Sequence, residues 1–301
     1  MRRFKEGRIM KKIIGILLVG LLTVQVTAQN KRVTEGIDIQ IKKSALSSID
    51  GFIIKNINGD LKVSGYDGDE ILITGSKTIR KKRGELDQKT IDEIYLRQEE
   101  HEGKIYVYVQ APGVEVKFRD GKMRHSMNWN RNRWDDYDEI HFEFNIEVKM
   151  PESMMVKAST VNGGKLIVEN MMNGVDAGNV NGDVVLKEVA GKTNAHTVNG
   201  DIEVYFAESP TDDSRFNTVN GSMEIYSPND LGAVVTFESL HGDLYTDFEQ
   251  VTRLKAQLNK EKDGKGYRYR IGKSTPIQIG DGGAKMEFET VNGSAYIRKR
   301  N

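Results

Sequence analysis

Asp60, Asp183, Asp201 and Asp243 each follow a glycine at the same point of a recurring phrase, so the chain carries a column of carboxylates. Oxygen ligands at regular spacing are what calcium uses. Calcium-binding β-rolls, however, run on a nonapeptide repeat with a second glycine-rich turn, and Ser222 and Ser294 interrupt the acidic column here. The expectation is that these carboxylates accept hydrogen bonds from exposed turn amides and hold no metal. The five histidines (His101, His125, His141, His196 and His241) show no His-Glu-x-x-His spacing. No Gly-x-Ser-x-Gly elbow and no phosphate-binding loop occurs, and the absence of cysteine excludes disulfides and thiol catalysis. Neither a catalytic residue nor a cofactor is expected. A polysaccharide lyase remains the enzymatic alternative, because many parallel β-helices are lyases. Such sites typically need an acidic cluster beside a positioned Arg or Lys base, and the regular repeats from Thr160 to Asp247 offer few outward Arg beyond Arg215.

One segment is chemically unlike the rest. Residues 124–137 read Arg-His-Ser-Met-Asn-Trp-Asn-Arg-Asn-Arg-Trp-Asp-Asp-Tyr and contain both tryptophans of the chain. Aromatic rings beside Arg and Asn are what sugar stacking and protein hot spots use. Trp129, Arg131, Arg133, Trp134 and Tyr137 are therefore the candidate recognition surface. The competing role is a long loop whose tryptophans cover an open end of the core.

What must position these residues is a repeat. The phrase appears at Asn56-Ile57-Asn58-Gly59-Asp60, Thr160-Val161-Asn162-Gly163-Gly164, Asn179-Val180-Asn181-Gly182-Asp183 and Thr197-Val198-Asn199-Gly200-Asp201. It returns at Thr218-Val219-Asn220-Gly221-Ser222, Ser239-Leu240-His241-Gly242-Asp243 and Thr290-Val291-Asn292-Gly293-Ser294. From Asn162 to His241 the spacings are 19, 18, 21 and 21, and a fixed period near 20 marks a stacked repeat. Within a repeat the pattern alternates, as Ile202, Val204 and Phe206 do, which predicts strands with one buried face. Four residues before each Asn lies an apolar column (Ile54, Ala158, Ala177, Ala195, Phe216, Phe237, Phe288). The next column (Lys55, Ser159, Gly178, His196, Asn217, Glu238, Glu289) reads as solvent-facing. Each repeat is thus two short strands joined at an Asn-Gly corner, where both residues tolerate positive φ. The columns keep their chemistry from repeat to repeat. That favours an all-β, parallel β-helix-like solenoid over an antiparallel sandwich.

The remaining features place the chain. Lys11-Lys12, the apolar run from Ile13 to Leu22 and Val26-Thr27-Ala28 have the anatomy of a secretory signal peptide. The apolar core is about half the roughly 20 residues a spanning helix needs. Residues 1–28 are therefore expected to be removed after Ala28, with Met10 the better start, leaving an exported chain without a membrane anchor. Beyond residue 28 there are 38 basic and 43 acidic side chains, a net of −5, which argues against nucleic acid. Residues 29–301 read as one domain, interrupted at about 76–139 by a small insertion with helical character at 85–93 and a hairpin around His101-Glu102-Gly103. A second break lies in the 51-residue gap between His241 and Asn292, where 259–266 reads as a solvated loop.

These repeats, the step Gly65-Tyr66-Asp67-Gly68-Asp69-Glu70, the break before Pro151 and the phrase Ile279-Gly280-Asp281-Gly282-Gly283 resemble the DUF4097 group of exported bacterial proteins labelled adhesins. The sequence departs from that pattern at His241, at Gly164 and in residues 119–138. The resemblance implies a β-solenoid of the bacterial envelope, associated in some members with envelope-stress systems, with no established enzyme activity. The function expected is a non-catalytic scaffold or binding module of the periplasm or cell surface, whose partner is an envelope protein or glycan.

Overall fold

The structure is a computed structural model and describes residues 31–42, 49–119, 122–127, 140–255, 258–263, 266–271 and 275–300. It is all-β, with a ten-stranded and an eleven-stranded mixed sheet facing each other across one core. Each of the seven phrases joins a strand of the second sheet to a strand of the first. The first repeat pairs Gly51–Lys55 with Leu61–Tyr66, the second Met155–Ser159 with Lys165–Met171, and the third Val175–Gly178 with Asp183–Val189. Thr193–His196 and Ile202–Phe206 make the fourth, Ser214–Asn217 and Met223–Ser227 the fifth. Ala233–Glu238 with Leu244–Thr246 make the sixth, and Ala284–Glu289 with Ala295–Lys299 the seventh.

Equivalent strands pair in parallel and in register in both sheets, so like residues stack on like. Tyr205 and Tyr226, for example, lie ring on ring at 4.4 Å. The stacking order departs from chain order at one point. The seventh repeat lies between the fifth and the sixth in both sheets. Residues 247–283 carry the chain out past the sixth repeat and back, so that the last repeat is inserted rather than appended.

The apolar column is buried as its pattern predicts: Ile54, Ala158, Ala177, Ala195, Phe216 and Phe288 are all within 2% of full burial. Phe237 differs, being only half-buried, because its repeat ends the stack. The change from Ala to Phe has a packing reason. Where the column holds Ala, bulk comes from other inward positions, and Phe206 of the fourth repeat meets Phe216 of the fifth edge-on at 6.5 Å. In the outward column, Gly178 is covered by the imidazole of His196.

The corner glycines are required by contact more than by conformation. A Cβ on Gly200 would lie 2.3 Å from the carbonyl oxygen of Gly182, and one on Gly221 would lie 1.9 Å from that of Gly200. Backbones of successive corners approach too closely for any side chain. The corner asparagines, against expectation, do not use positive φ. Among the described residues only Glu102, Asn170 and Glu188 do so outside glycine. Their side chains have another task, described below.

The two ends of the stack are closed differently. Beside the first repeat, Lys104–Gln110 and Ile140–Pro151 continue the two sheets in parallel. Antiparallel strands follow: Tyr95–His101 in one sheet, Ile71–Lys81 and Arg32–Ile41 in the other. The expected hairpin turns at Glu102 and Gly103, with φ 48° and 71°. The helical segment is the single turn Gln88–Asp92, capped by Asp87. Ile91 and Ile94 beside it are buried in the core, and buried Lys77 donates to both of their carbonyls while pairing with Glu35 at 2.5 Å. At the other end the second sheet gains antiparallel Ile277–Ile279 and Val251–Arg253. The first sheet stops at the three-residue strand Leu244–Thr246, between Asp243 and Asp247. A short edge flanked by like charges discourages further pairing. Within 259–266 the described residues are not a loop but belong to two antiparallel strands, Leu258–Asp263 and Gly266–Ile271. The charged residues masked the alternation of Tyr267, Tyr269 and Ile271, and Asp263-Gly264 is a turn signal.

Candidate functional site

The repeated corner places one asparagine per repeat in a single file, and their side chains hydrogen-bond to one another. Asn162 Nδ2 donates to Asn58 Oδ1 at 2.9 Å, Asn181 to Asn162 at 2.9 Å and Asn199 to Asn181 at 3.0 Å. Asn220 donates to Asn199 at 2.9 Å and Asn292 to Asn220 at 2.8 Å. All the amides point the same way, an arrangement in which successive dipoles reinforce each other. His241 pairs its backbone with Asn292 and ends the file. Three of the four aspartates of the column are committed as well, whereas Asp243, against expectation, accepts from the Tyr245 hydroxyl at 3.5 Å and from no turn amide among the described residues. Asp60 Oδ1 accepts from the amides of Gly164 and Lys165, Asp183 from that of Asp201 and Asp201 from that of Ser222. Threonine hydroxyls at positions 160, 197 and 218 donate to the glycine carbonyl of the preceding corner. The corner is thus a largely self-satisfied scaffold, with the buried hydroxyl of Thr290 in the seventh corner left without a hydrogen-bond partner.

The file begins where this economy changes. Beside the first repeat there is no eighth corner but the strand Ile140–Pro151, which is not a repeat. Its backbone takes over the role: Asn58 Nδ2 donates to the carbonyl of Phe142 at 2.9 Å and Asn56 Nδ2 to that of Phe144 at 2.8 Å. Asn145 Oδ1 accepts from the amide of Asp60, and its Nδ2 donates to Glu143. This strand and its antiparallel partner Ile71–Lys81 run on past the corner, leaving a cleft of about 380 Å³ in the angle. Arg80 and His141 face each other across the two strands, next to the pair Thr78 and Glu143. Thr78 shares a hydrogen bond with Thr34. Arg80 and His141 are exposed and make no hydrogen bond or ion pair with any described residue, so they are the cleft's free donors. Glu143, on the same strand as His141, and Asp60 at the corner supply carboxylate oxygens to the lining. The arrangement can hydrogen-bond a polar ligand. Among the described residues no three His, Asp or Glu side chains are grouped as a metal would need.

Trp129, Arg131, Arg133, Trp134 and Tyr137 lie outside the described residues, as does the signal-like segment 1–28. In the chain, Tyr137 precedes His141 by four residues. Of the other histidines, His101 packs on Phe118 at 4.6 Å, and His196 lies over Gly178 on the opposite sheet. Sequence reasoning missed Arg80 and Glu143. Their signal was available in the alternation of 76–81 and 140–148, which marks two long strands whose outer faces carry polar side chains beyond the reach of the repeats.

No protein-family model matches the chain, and no curated protein matches it. Among the described residues no helix is long and apolar enough to cross a membrane. Among solved structures the chain is similar to a cell-adhesion candidate of Clostridium sporogenes, at 12% identity and a TM-score of 0.43, over 89% of this chain and 100% of that one. It is similar also to an adhesin candidate of Bacteroides fragilis, at 9% identity and a TM-score of 0.37, over 88% and 97%. A third is a lipid-binding candidate of Parabacteroides distasonis, at 12% identity and a TM-score of 0.27, over 88% and 97%.

Proposed function

We propose that this chain is a β-solenoid of the DUF4097 type, exported by cleavage after Ala28, that acts as a non-catalytic adhesin-like scaffold or binding module of the cell envelope. Residues 29–301 form its single domain. One observation carries the reading. The polar groups of the repeated corner are bonded to one another, whereas Arg80 and His141 stand free in the cleft where the repeat stops. A uniform stack offers a rigid frame, and specificity then belongs to the non-repeating parts mounted on it. The recognition surface combines Arg80 and His141 with the loop residues Trp129, Arg131, Arg133, Trp134 and Tyr137, and its partner is an envelope glycan or protein.

The test is a pull-down of envelope glycans and proteins by the mature chain, with melting recorded on the same preparations. Replacing Trp129 and Trp134 by Ala, or Arg80 and His141 by Ala, is expected to abolish capture while leaving melting unchanged. Capture that survives both double substitutions contradicts the assignment. Release of unsaturated products from acidic polysaccharides would instead establish the lyase alternative.

A further inference from the structure

The outer face of the second sheet holds a second constellation. Parallel register sets two outward columns side by side: Lys55, Ser159, Gly178 and His196 in one, Ile53, Lys157, Asp176 and Asn194 in the other. Neighbouring strands lie about 4.8 Å apart, so these side chains share one patch. Gly178 leaves a space that the imidazole of His196 fills. A Cβ there would lie 2.1 Å from His196 Nε2, so the imidazole rests on bare backbone, with Nδ1 4.0 Å from Asp176 Oδ1. Lys157 is paired with Asp176. Lys55 is half-buried and has no ion-pair partner among the described residues. Ser159, between Lys55 and Gly178, makes no side-chain hydrogen bond to a described residue.

One wall is already built. The hairpin Val114–Arg119 with Lys122–Met127 packs across the neighbouring part of this face, where Met123 joins Ile53, Tyr106 and Tyr108 in a separate apolar cluster. Phe118 meets Tyr106 edge-on at 4.9 Å. Tyr106 and Tyr108 stand directly beside Ile53 and Lys55, so Lys55 emerges at the foot of that wall. On the far side Arg215 is held by Glu287 at 2.8 Å and adds no free charge. Two ammonium groups, a hydroxyl and an imidazole thus share one patch with a single carboxylate, that of Asp176.

We infer that this patch binds a tetrahedral oxyanion, namely a phosphate group, with Lys55 and Lys157 as the charged contacts and Ser159 and His196 as hydrogen-bond donors. Charge-assisted bonds of this kind are the strong ones, and lysine is a common phosphate partner. Burial first, and then the like charge of Lys157, hold the Lys55 ammonium below its usual range, with Asp176 acting in the other direction. Burial likewise lowers His196, against the pull of Asp176. An anion over the patch relieves the repulsion between the two lysines. The same group could arrive free or as a phosphodiester at a lipid surface, and the experiment separates the two.

The mature chain is titrated with inorganic phosphate while the ring resonances of His196 are followed by NMR. In parallel it is sedimented with phosphatidylglycerol vesicles and with phosphatidylcholine vesicles. Saturable shifts are expected in the first arm, weakened about tenfold in each of Lys55→Met and Lys157→Met. The control Lys149→Met, an exposed lysine on the other sheet, leaves binding unchanged. Lipid phosphate is the source if sedimentation with phosphatidylglycerol exceeds that with phosphatidylcholine and is lost in Lys55→Met. Free phosphate is the source if only the NMR arm responds. The inference fails if neither arm shows saturable binding, or if both lysine variants bind as well as Lys149→Met. Far-UV spectra and melting of each variant confirm that the comparison is made on folded protein.

Discussion

The corner file has two ends, and they are not alike. At the Asn58 end a non-repeating strand closes the file, supplying backbone carbonyls from Phe142 and Phe144, and the overshoot of that strand makes the cleft. At the other end the chain doubles back, inserts its last repeat one place inward, and lets His241 stand where another asparagine would continue the file. One end is closed by borrowing acceptors from outside the repeat, the other by a change of residue. The contrast teaches that the repeated corner itself is neutral toward function. Along the corner file a partner can be selected only where the mutual bonding is interrupted.

The interior should be far less tolerant than either end. The largest effect is expected for Gly200→Ala, whose Cβ would meet the Gly182 carbonyl at 2.3 Å. About 5 kcal/mol or more should be lost, read from urea unfolding, and a loss near zero would show that the corners stack less closely. Next come the phenylalanines. Phe216→Ala, fully buried, should cost about 3–5 kcal/mol, whereas Phe237→Ala in the terminal repeat should cost about half as much. Sequence alone assigns Phe237 the full cost, so equal losses would return the sixth repeat to the interior of the stack.

Within the file, Asn199→Ala removes two side-chain bonds and should cost about 1 kcal/mol, moderated by exposure to water. His241→Ala at the end should stay within about 0.5 kcal/mol. A larger penalty at His241 than at Asn199 would invert the comparison of end with interior. Smallest of all, Arg80→Ala and His141→Ala should leave stability within about 0.5 kcal/mol while changing partner capture. Chelator and added calcium should leave the melting temperature unmoved, since Asp60, Asp183 and Asp201 are occupied by backbone amides. A calcium-dependent rise would reassign that column to metal.

Much of this was legible in the sequence because it is local. Alternation with period 2 identified the buried column, the outward column and the aspartates that accept turn amides, and the phrase itself marked every corner. The order of the stack was not legible. Parallel, in-register pairing joins equivalent residues whichever repeat is the neighbour, so nothing in Asn220, His241 or Asn292 says that the last lies between the other two. The cleft was hidden for a related reason: Arg80 and His141 are 61 residues apart and meet only through antiparallel pairing. The phosphate patch was half visible. Lys55, Ser159, Gly178 and His196 already formed one outward column. Reading the column five residues before each Asn would have added Lys157 and Asp176, though not the hairpin that walls them.

The insertion of the last repeat is the feature on which the contrast of the two ends rests, and the cysteine-free chain allows it to be tested directly. Two double variants are oxidised and compared, Asn220→Cys with Asn292→Cys and Asn220→Cys with His241→Cys. Adjacent strands lie about 4.8 Å apart, within the Cα range of roughly 4.4–6.8 Å that a disulfide spans, and alternate strands at about 10 Å do not. The account predicts rapid, near-complete bridging between positions 220 and 292 and none between 220 and 241. Efficient bridging of 220 to 241 would mean that the repeats stack in chain order, and would contradict it.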